Sequence, residues 1–179
     1  MYKRESCGSH GCGQSKSSIK SNLFPMRWIC KKFEELKPIE LYHIIQLRLE
    51  VFSVEQNCPY QDADNKDPFC HHLMGMSSSG LIAYSRILPS GLAYSEISIG
   101  RIVNSPSVRG TGIGRLLVQK SLESALQLYG RVPIRIGAQL YLKAFYESFG
   151  FQQTSEIYLE DNIKHIEMLK DSQRNGNIP

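Results

Sequence analysis

A glycine-rich stretch, VRGTGIG at residues 108–114, constrains the fold of this chain more than any other segment. Its three glycines alternate with Thr111 and Ile113, and glycine at this density weakens a helix and a strand alike. A strand-like segment, AYSEISIGRIV, precedes the stretch, and leucines at helical spacing follow it to about Tyr129. The stretch therefore predicts a loop that joins a strand to a helix.

A loop in this position is suited to bind an anion. The free N–H groups of a first helical turn and the helix dipole both favour negative charge. Glycines remove the side chains that would keep several N–H groups away from phosphate oxygens, and Arg109 adds a cation beside them. The alternative is a connection that needs glycine only for the geometry of its turn.

The spacing of the glycines argues against two common nucleotide-binding loops. A dinucleotide loop has the pattern G-x-G-x-x-G, and Arg115 occupies the third glycine position here. The triphosphate pattern G-x-x-x-x-G-K-[ST] is missing from the stretch. The stretch matches R-x-x-G-x-G instead, through Arg109, Gly112 and Gly114. This pattern resembles the pyrophosphate-binding loop of the GNAT superfamily of acetyl-CoA-dependent N-acetyltransferases.

The apolar periodicity of residues 26–170 predicts one α/β domain with the element order β-α-β-β-β-α-β-α-β-β. A helix is expected over residues 38–52, and a long strand is expected over residues 93–103. A hairpin turn is expected at Asn162, because asparagine tolerates a positive φ. This order predicts a mixed, mainly antiparallel sheet with helices packed on it.

The two ends of the chain differ from this body. Residues 1–25 are rich in Ser, Gly and Lys and show little apolar periodicity, which is typical of a disordered leader or a tag. Residues 171–179 are polar and predict a flexible tail. The 179-residue chain is therefore expected to hold a single folded domain at residues 26–170.

Charge and hydropathy argue against nucleic-acid and membrane partners. Most of the net charge of +4 lies in residues 1–25, where four basic residues face one glutamate, so the body is nearly neutral. No apolar run approaches the roughly 18 residues of a membrane span. The five cysteines are odd in number and have no disulfide spacing, which favours a reducing, cytoplasmic setting. Cys7, His10 and Cys12 are too few for a four-ligand metal site, so no metal is expected.

Four segments resemble the ElaA-like branch of the GNAT superfamily over roughly residues 26–170. They are LRLEVFSVEQNCPYQDADNKD, GRIVNSPSVRGTGIGRLLV, AQLYLKAFYESFGF and YLEDNIKHIEML. The resemblance implies a GNAT-like acyl-CoA N-acyltransferase fold, in which the strand before the loop splays away from the next strand. It also implies that the exposed strand edge pairs with the pantetheine arm of acetyl-CoA. The implied acetyl-CoA contacts are Ile102, Val103, Val108, Arg109, Gly110, Thr111, Gly112, Ile113, Gly114, Arg115 and Lys143, the last with a solvated lysine as the alternative.

The resemblance also implies two catalytic residues. Tyr146 matches the tyrosine that donates a proton to the departing thiolate in many GNAT enzymes, although an ordinary packed aromatic is the alternative. Tyr141 is a rival and departs from the family pattern, which commonly has histidine there. Glu96 lies on the strand where some GNAT enzymes place the base that deprotonates the amine, and a solvated glutamate is the alternative. Cys70 beside His71 forms no catalytic dyad, because neighbouring strand residues point to opposite faces.

The acceptor pocket is expected in the segment RLEVFSVEQNCPYQDAD and on the last hairpin. Acidic groups there would suit an amine, although Asp62 and Asp64 are also common loop and capping residues. His165 is assigned to a substrate contact or to a structural hydrogen bond. The residues expected to face the acceptor are Arg48, Glu55, Gln56, Tyr60 and His165.

The sequence therefore predicts an N-acetyltransferase that moves acetyl from acetyl-CoA to a primary amine of a small molecule or a protein. Direct attack in a ternary complex is the expected mechanism. A non-catalytic GNAT-fold module that binds CoA as a sensor or scaffold is the alternative, and the loop spacing disfavours a nucleotide-dependent oxidoreductase. The protein is expected to be a monomer or a homodimer.

Overall fold

The computed structural model describes residues 26–172, so the predicted leader and residues 173–179 of the predicted tail lie outside the described residues. Three α-helices are present in this range, and they are Pro38–Arg48 (α1), Ile113–Tyr129 (α2) and Lys143–Glu147 (α3). The strands are Arg27–Lys32 (β1), His71–Ser77 (β2), Gly80–Leu88 (β3), Ile97–Asn104 (β4), Ile134–Gln139 (β5), Gln152–Gln153 (β6), Tyr158–Glu160 (β7) and Ile163–Lys170 (β8).

All eight strands belong to one sheet. Their order is β1-β2-β3-β4-β5-β8-β6, with β7 paired to β8 beside that path. β4 and β5 are parallel, and every other strand pair in the described residues is antiparallel. The predicted mixed, mainly antiparallel sheet is therefore confirmed. No helix in this part of the chain is long and apolar enough to cross a membrane.

Helices α1 and α2 pack on opposite faces of the sheet. On β3, Ala83 belongs to a buried cluster with Leu117 of α2. The next residue, Tyr84, belongs to a different buried cluster with Ile44 of α1. Because successive residues of a strand point to opposite faces, the two clusters place one helix on each side of β3.

The first helix continues beyond its α-helical part in a different geometry. Pro38 is its first residue, a position where the missing N–H and the fixed φ of proline both suit a helix. The α-helix ends at Arg48, and the chain continues as a π-helical segment over Leu49–Glu55. The helix predicted to end at Phe52 thus runs three residues further. π-Helical turns are rare and are frequent at functional sites.

Turns define the bounds of the central strands and of the last hairpin. β4 begins at Ile97, later than predicted, because the N–H of Gly91 donates to the carbonyl of Tyr94 at 2.7 Å and closes a turn. In the β7–β8 hairpin, Asp161 and Asn162 have φ of 50° and 65°. Two consecutive positive φ values are typical of a tight hairpin turn, so the turn predicted at Asn162 is confirmed.

Candidate active site

β4 and β5 part after two residue pairs. Their ladder contains Ile97 with Ile134 and Ser98 with Arg135, and both strands then continue without pairing to each other. A cavity of about 770 Å³ opens at the parting. Its walls come from both strands, the π-helical segment, the loop that follows it, α3 with the short turn before it, and the β7–β8 hairpin. The splay implied by the family resemblance is therefore present.

A β-bulge lies where β4 leaves β5. Arg86 of β3 pairs with Gly100, whereas Tyr84 pairs with Val103, so β4 carries one extra residue between these pairs. Arg101 has a φ of 51° inside this bulge. A bulge bends its strand and re-aims a side chain, and it occurs often beside active sites. The bend therefore accompanies the opening of the cavity.

The glycine-rich loop has the geometry of an anion site. Gly110 and Gly112 have φ of 73° and 89°, which other residues rarely adopt, and α2 begins directly afterwards. A Cβ atom on Gly114 would lie 2.9 Å from the side-chain nitrogen of Asn104, so this glycine lets α2 approach β4 closely. Within residues 26–172, the N–H groups of residues 110–115 donate to no backbone carbonyl. Six N–H groups are thus available for a phosphate.

Arg109 of the loop and Arg115 at the start of α2 are held by other side chains. Arg109 makes two hydrogen bonds to the carboxylate of Glu55, at 2.5 and 2.7 Å, and both residues line the cavity. Arg115 donates to the hydroxyl of Ser148 at 2.9 Å and lies 4.8 Å from the ring centroid of Phe149. The cation expected beside the phosphates is therefore engaged with a carboxylate in the free protein.

Tyr146 is buried and lies on the cavity wall. It is only 6% exposed, and its ring packs edge-on against Phe145 and Phe151. Burial raises the pKa of its hydroxyl, so the proton is retained at neutral pH. In the described residues this hydroxyl has no hydrogen-bond partner. Tyr141, the rival position, lines the same cavity but is 75% exposed.

Glu96, the predicted base, does not line the cavity. Glu96 precedes β4, lies outside the cavity wall and forms two hydrogen bonds with Arg135, at 2.6 and 2.9 Å. These bonds lower the pKa of Glu96 to about 2. A carboxylate with this pKa is a weak proton acceptor at neutral pH, because a catalytic base works best with a pKa near the operating pH.

Arg48, which was predicted to face the acceptor, does not line the cavity either. Its side chain is fully buried beneath the cavity, where it bonds Asp62 at 2.6 Å and Asp67 at 2.8 Å. A charge removed from water needs partners of opposite sign, and the loop carboxylates supply them. Arg48 is therefore a structural residue and not a wall of the acceptor pocket.

Arg48 belongs to a larger group, which we call the arginine–aspartate cluster. Arg86 of β3 bonds Asp64 and Asp67, and Arg101 of the β4 bulge bonds Asp62. The six residues of the cluster are Arg48, Asp62, Asp64, Asp67, Arg86 and Arg101. The partners are up to 39 residues apart, so sequence spacing alone did not reveal Arg86 or Arg101. The cluster ties the loop after the π-helical segment to α1, β3 and β4.

The remaining acceptor-side residues do line the cavity. The hydroxyl of Tyr60 donates to Asp62 at 2.9 Å, and Gln56 accepts a long hydrogen bond from Gln139 at 3.4 Å. His165 is half-buried, and its Nδ1 lies 2.9 Å from the carbonyl oxygen of Ile163. Since a carbonyl only accepts, Nδ1 carries the proton, and Nε2 is the acceptor in the neutral ring. His165 therefore makes the structural hydrogen bond and lines the cavity as well.

Two polar side chains of β4 were not singled out by the sequence. Asn104 and Ser98 line the cavity, and each has a buried oxygen without a hydrogen-bond partner among the described residues. Such atoms are uncommon in folded proteins and mark places where another polar group fits. A polar residue in an apolar strand was the only sequence signal for either one.

Lys143 and Cys70 do not line the cavity. Lys143 lies outside the cavity wall and donates to Gln153 at 2.8 Å. Cys70 is buried, and burial raises the pKa of its thiol to about 11, which keeps it protonated. Within residues 26–172, no three His, Cys, Asp or Glu side chains are grouped so that they could hold a metal ion. Cys7, His10 and Cys12 lie outside the described residues.

Comparisons with known proteins place this geometry in a family. The chain matches the family described as an acetyltransferase (GNAT) domain over residues 55–172. It is 40% identical to protein ElaA of Escherichia coli (strain K12), over 82% of this chain and 97% of that protein.

Two solved structures are similar to this chain along nearly their whole length. One is an acyl-CoA N-acyltransferase from Pseudomonas aeruginosa, with 41% identity, a TM-score of 0.78 and coverage of 81% of this chain and 99% of that one. The other is Escherichia coli ElaA, with 40% identity, a TM-score of 0.77 and coverage of 82% and 99%. These structures confirm the expected acyl-CoA N-acyltransferase fold. The chain therefore belongs to the ElaA-like branch of the GNAT acetyltransferase family.

Proposed function

We propose that the protein transfers the acetyl group of acetyl-CoA to a primary amine by direct attack in a ternary complex. The family supports acyl transfer from a CoA thioester. The proposal adds that the acyl group is acetyl and that the acceptor is a primary amine. One observation carries it: a single cavity is lined by the parted β4 edge, by Arg109 of the glycine-rich loop and by the buried Tyr146.

The residues present fit a CoA donor. The unpaired edge of β4 offers the backbone groups of Ile102 and Val103 to the pantetheine arm. The free N–H groups of residues 110–115 suit the pyrophosphate, and Arg115 and Lys143 are predicted to help with phosphate charge. Acetyl-CoA would supply the thioester carbon and the leaving thiolate. The parted strands and the unpaired N–H groups support this assignment.

Tyr146 is the proposed proton donor. In the reaction the amine nitrogen forms a bond to the acyl carbon, and the carbon–sulfur bond breaks. The leaving thiolate then takes a proton from the Tyr146 hydroxyl, whose high pKa keeps that proton in place until the thiolate forms. Packing of the ring against Phe145 and Phe151 holds this side chain in the cavity wall.

His165 takes the role first assigned to Glu96. Its Nδ1 proton is bound to the Ile163 carbonyl, so its Nε2 atom is free to accept the proton that the amine loses. The ring stacks on Tyr158 at a centroid distance of 5.9 Å, which restricts its rotation. A neutral imidazole is suited to this step because one ring nitrogen donates while the other accepts.

We expect His165→Gln to lower kcat/KM for the amine about ten-fold at pH 7. The loss should shrink as the pH rises toward 10, because the alkylamine then loses its proton to solvent and needs no base. Initial rates of thiol release across this pH range measure the effect. His43→Gln, on α1 and outside the cavity, is the matched control. A pH-independent loss would assign His165 to positioning alone.

The donor assignment is tested by coenzyme A itself. We expect coenzyme A at about 100 times its dissociation constant to raise the melting temperature by about 5–10 °C, since binding at that excess adds about 2.7 kcal/mol. Differential scanning fluorimetry measures the shift, and adenosine serves as the ligand control. An unchanged melting temperature at saturating coenzyme A would remove the donor assignment.

A panel of amines with acetyl-CoA tests the reaction. Thiol release should rise above the background of acetyl-CoA hydrolysis for at least one class among small amines, peptide N-termini and lysine peptides. Coenzyme A binding without thiol release from any class would favour the alternative, a module that binds CoA as a sensor or scaffold. Size-exclusion chromatography with light scattering distinguishes the two expected states, a monomer and a homodimer.

A further inference from the structure

The Glu55–Arg109 ion pair joins the two sides of the cavity. Glu55 ends the π-helical segment on the acceptor side, and Arg109 directly follows the short turn Pro106–Val108 on the donor side. Their two hydrogen bonds are parallel, with Nη1 to Oε1 at 2.5 Å and Nη2 to Oε2 at 2.7 Å. Both residues line the same cavity. The ion pair thus joins a carboxylate of the acceptor side to a guanidinium of the donor side.

This pair is weak enough to be exchanged. The side chains of Arg109 and Glu55 are 45% and 42% exposed, and exposed ion pairs contribute little because water screens them. A pyrophosphate offers the guanidinium the same bidentate geometry as a carboxylate and carries two negative charges instead of one. The unpaired N–H groups of residues 110–115 would hold such a phosphate beside Arg109. Arg109 should therefore leave Glu55 when a phosphate occupies the loop.

The exchange would leave an unpaired carboxylate on the cavity wall. Arg109 is the cation that the structure pairs with Glu55, and the pair lowers the pKa of Glu55, so this side chain is ionised at neutral pH. An alkylamine is a cation at the same pH. An ammonium ion entering the cavity could replace the lost guanidinium.

We propose that Glu55 determines acceptor specificity through an exchange of partners: it holds Arg109 in the free protein and binds the acceptor's ammonium group after the donor's phosphate takes Arg109. The inference rests on the proposed function, because it needs a CoA phosphate at the loop. It makes donor binding favour acceptor binding, and by thermodynamic linkage the acceptor favours the donor equally. Glu55 is thus a specificity-determining residue shared by the two binding regions.

The first test is a double-mutant cycle on the binding of coenzyme A, measured by isothermal titration calorimetry. We expect Glu55→Gln to bind coenzyme A about two- to five-fold more tightly, since it removes the competing partner of Arg109. Arg109→Gln should bind more weakly than the wild type. In the Arg109→Gln background, Glu55→Gln should have no effect beyond that of removing a nearby charge.

Glu50→Gln is the matched control for charge. Glu50 lies in the same π-helical segment and close enough to influence Arg109, but it makes no hydrogen bond to it within the described residues. A tightening by Glu55→Gln that Glu50→Gln equals, or that is equally large in the Arg109→Gln background, would overturn the exchange. Failure of the wild type to bind coenzyme A would overturn the proposed function as well, whereas normal wild-type binding with an unchanged Glu55→Gln variant would overturn the exchange alone.

The second test uses propylammonium, a primary alkylammonium ion with no other polar group. Its binding to the protein is measured by NMR titration with and without saturating coenzyme A. We expect coenzyme A to tighten propylammonium binding to the wild type by at least two-fold and to leave binding to Glu55→Gln unchanged. Equal affinity for propylammonium with and without coenzyme A in the wild type would overturn the acceptor half of the proposal.

Discussion

Replacing Arg48 with methionine is expected to lower the free energy of unfolding by about 3 kcal/mol. Methionine keeps an apolar chain of similar length but leaves the buried carboxylates of Asp62 and Asp67 with one cation fewer. Removing one partner of a buried ion pair leaves a charge that water cannot solvate, and this costs about 3–5 kcal/mol in other proteins. The lower end is expected here because Asp62 keeps Arg101 and Asp67 keeps Arg86.

Urea unfolding followed by circular dichroism measures this loss as a shift of the midpoint. Lys120→Met is the matched control, because it breaks an exposed ion pair with Glu123 and should change the free energy of unfolding by less than about 1 kcal/mol. Equal effects of Arg48→Met and Lys120→Met would show that the arginine–aspartate cluster does not stabilise the fold.

Replacing Tyr146 with phenylalanine is expected to lower kcat about 100-fold while coenzyme A affinity stays within two-fold. Phenylalanine has the same shape without the hydroxyl, so the thiolate would leave without a proton donor. The hydroxyl has no hydrogen-bond partner within residues 26–172, so its removal breaks no bond of the described structure. The melting temperature should therefore stay the same or rise slightly.

Turnover with the most active amine of the panel, calorimetric binding of coenzyme A and thermal unfolding together measure the effect of Tyr146→Phe. Tyr141→Phe is the matched control, because it removes a hydroxyl from the same cavity at a position that is largely exposed. We expect its kcat to change by less than two-fold. A similar kcat for the two variants would remove Tyr146 as the proton donor.

Local backbone requirements explain why several elements were predictable. The glycine-rich loop needs positive φ at Gly110 and Gly112, and only glycine adopts that conformation without a steric cost. Gly130, with a φ of 73°, ends α2 where the apolar periodicity stops. Asn162 closes the last hairpin for a similar local reason. Each of these features depends on residues that are neighbours in the chain.

The partners of charged side chains were not predictable in this way. Glu96 had the residue type of a catalytic base, but Arg135 lies 39 residues away and neutralises it. Arg48 was expected to face the acceptor, but α1 turns it toward Asp62 and Asp67 in the buried cluster. We propose His165 as the base because its position on β8 places it beside the cavity, with Nδ1 hydrogen-bonded to the carbonyl of Ile163.

The amino-acid sequence by itself determined the loop, the family and the element order except for the two-residue strand β6, because these depend on backbone preferences and on patterns within short segments. Only the tertiary structure decided which ionisable groups face the cavity and which are neutralised. The reason is that desolvation and pairing depend on distance in space, and the partners of Glu55 and Arg48 lie 54 and up to 19 residues away in the chain. Chemistry at this site therefore depends on contacts that no short segment of the chain contains.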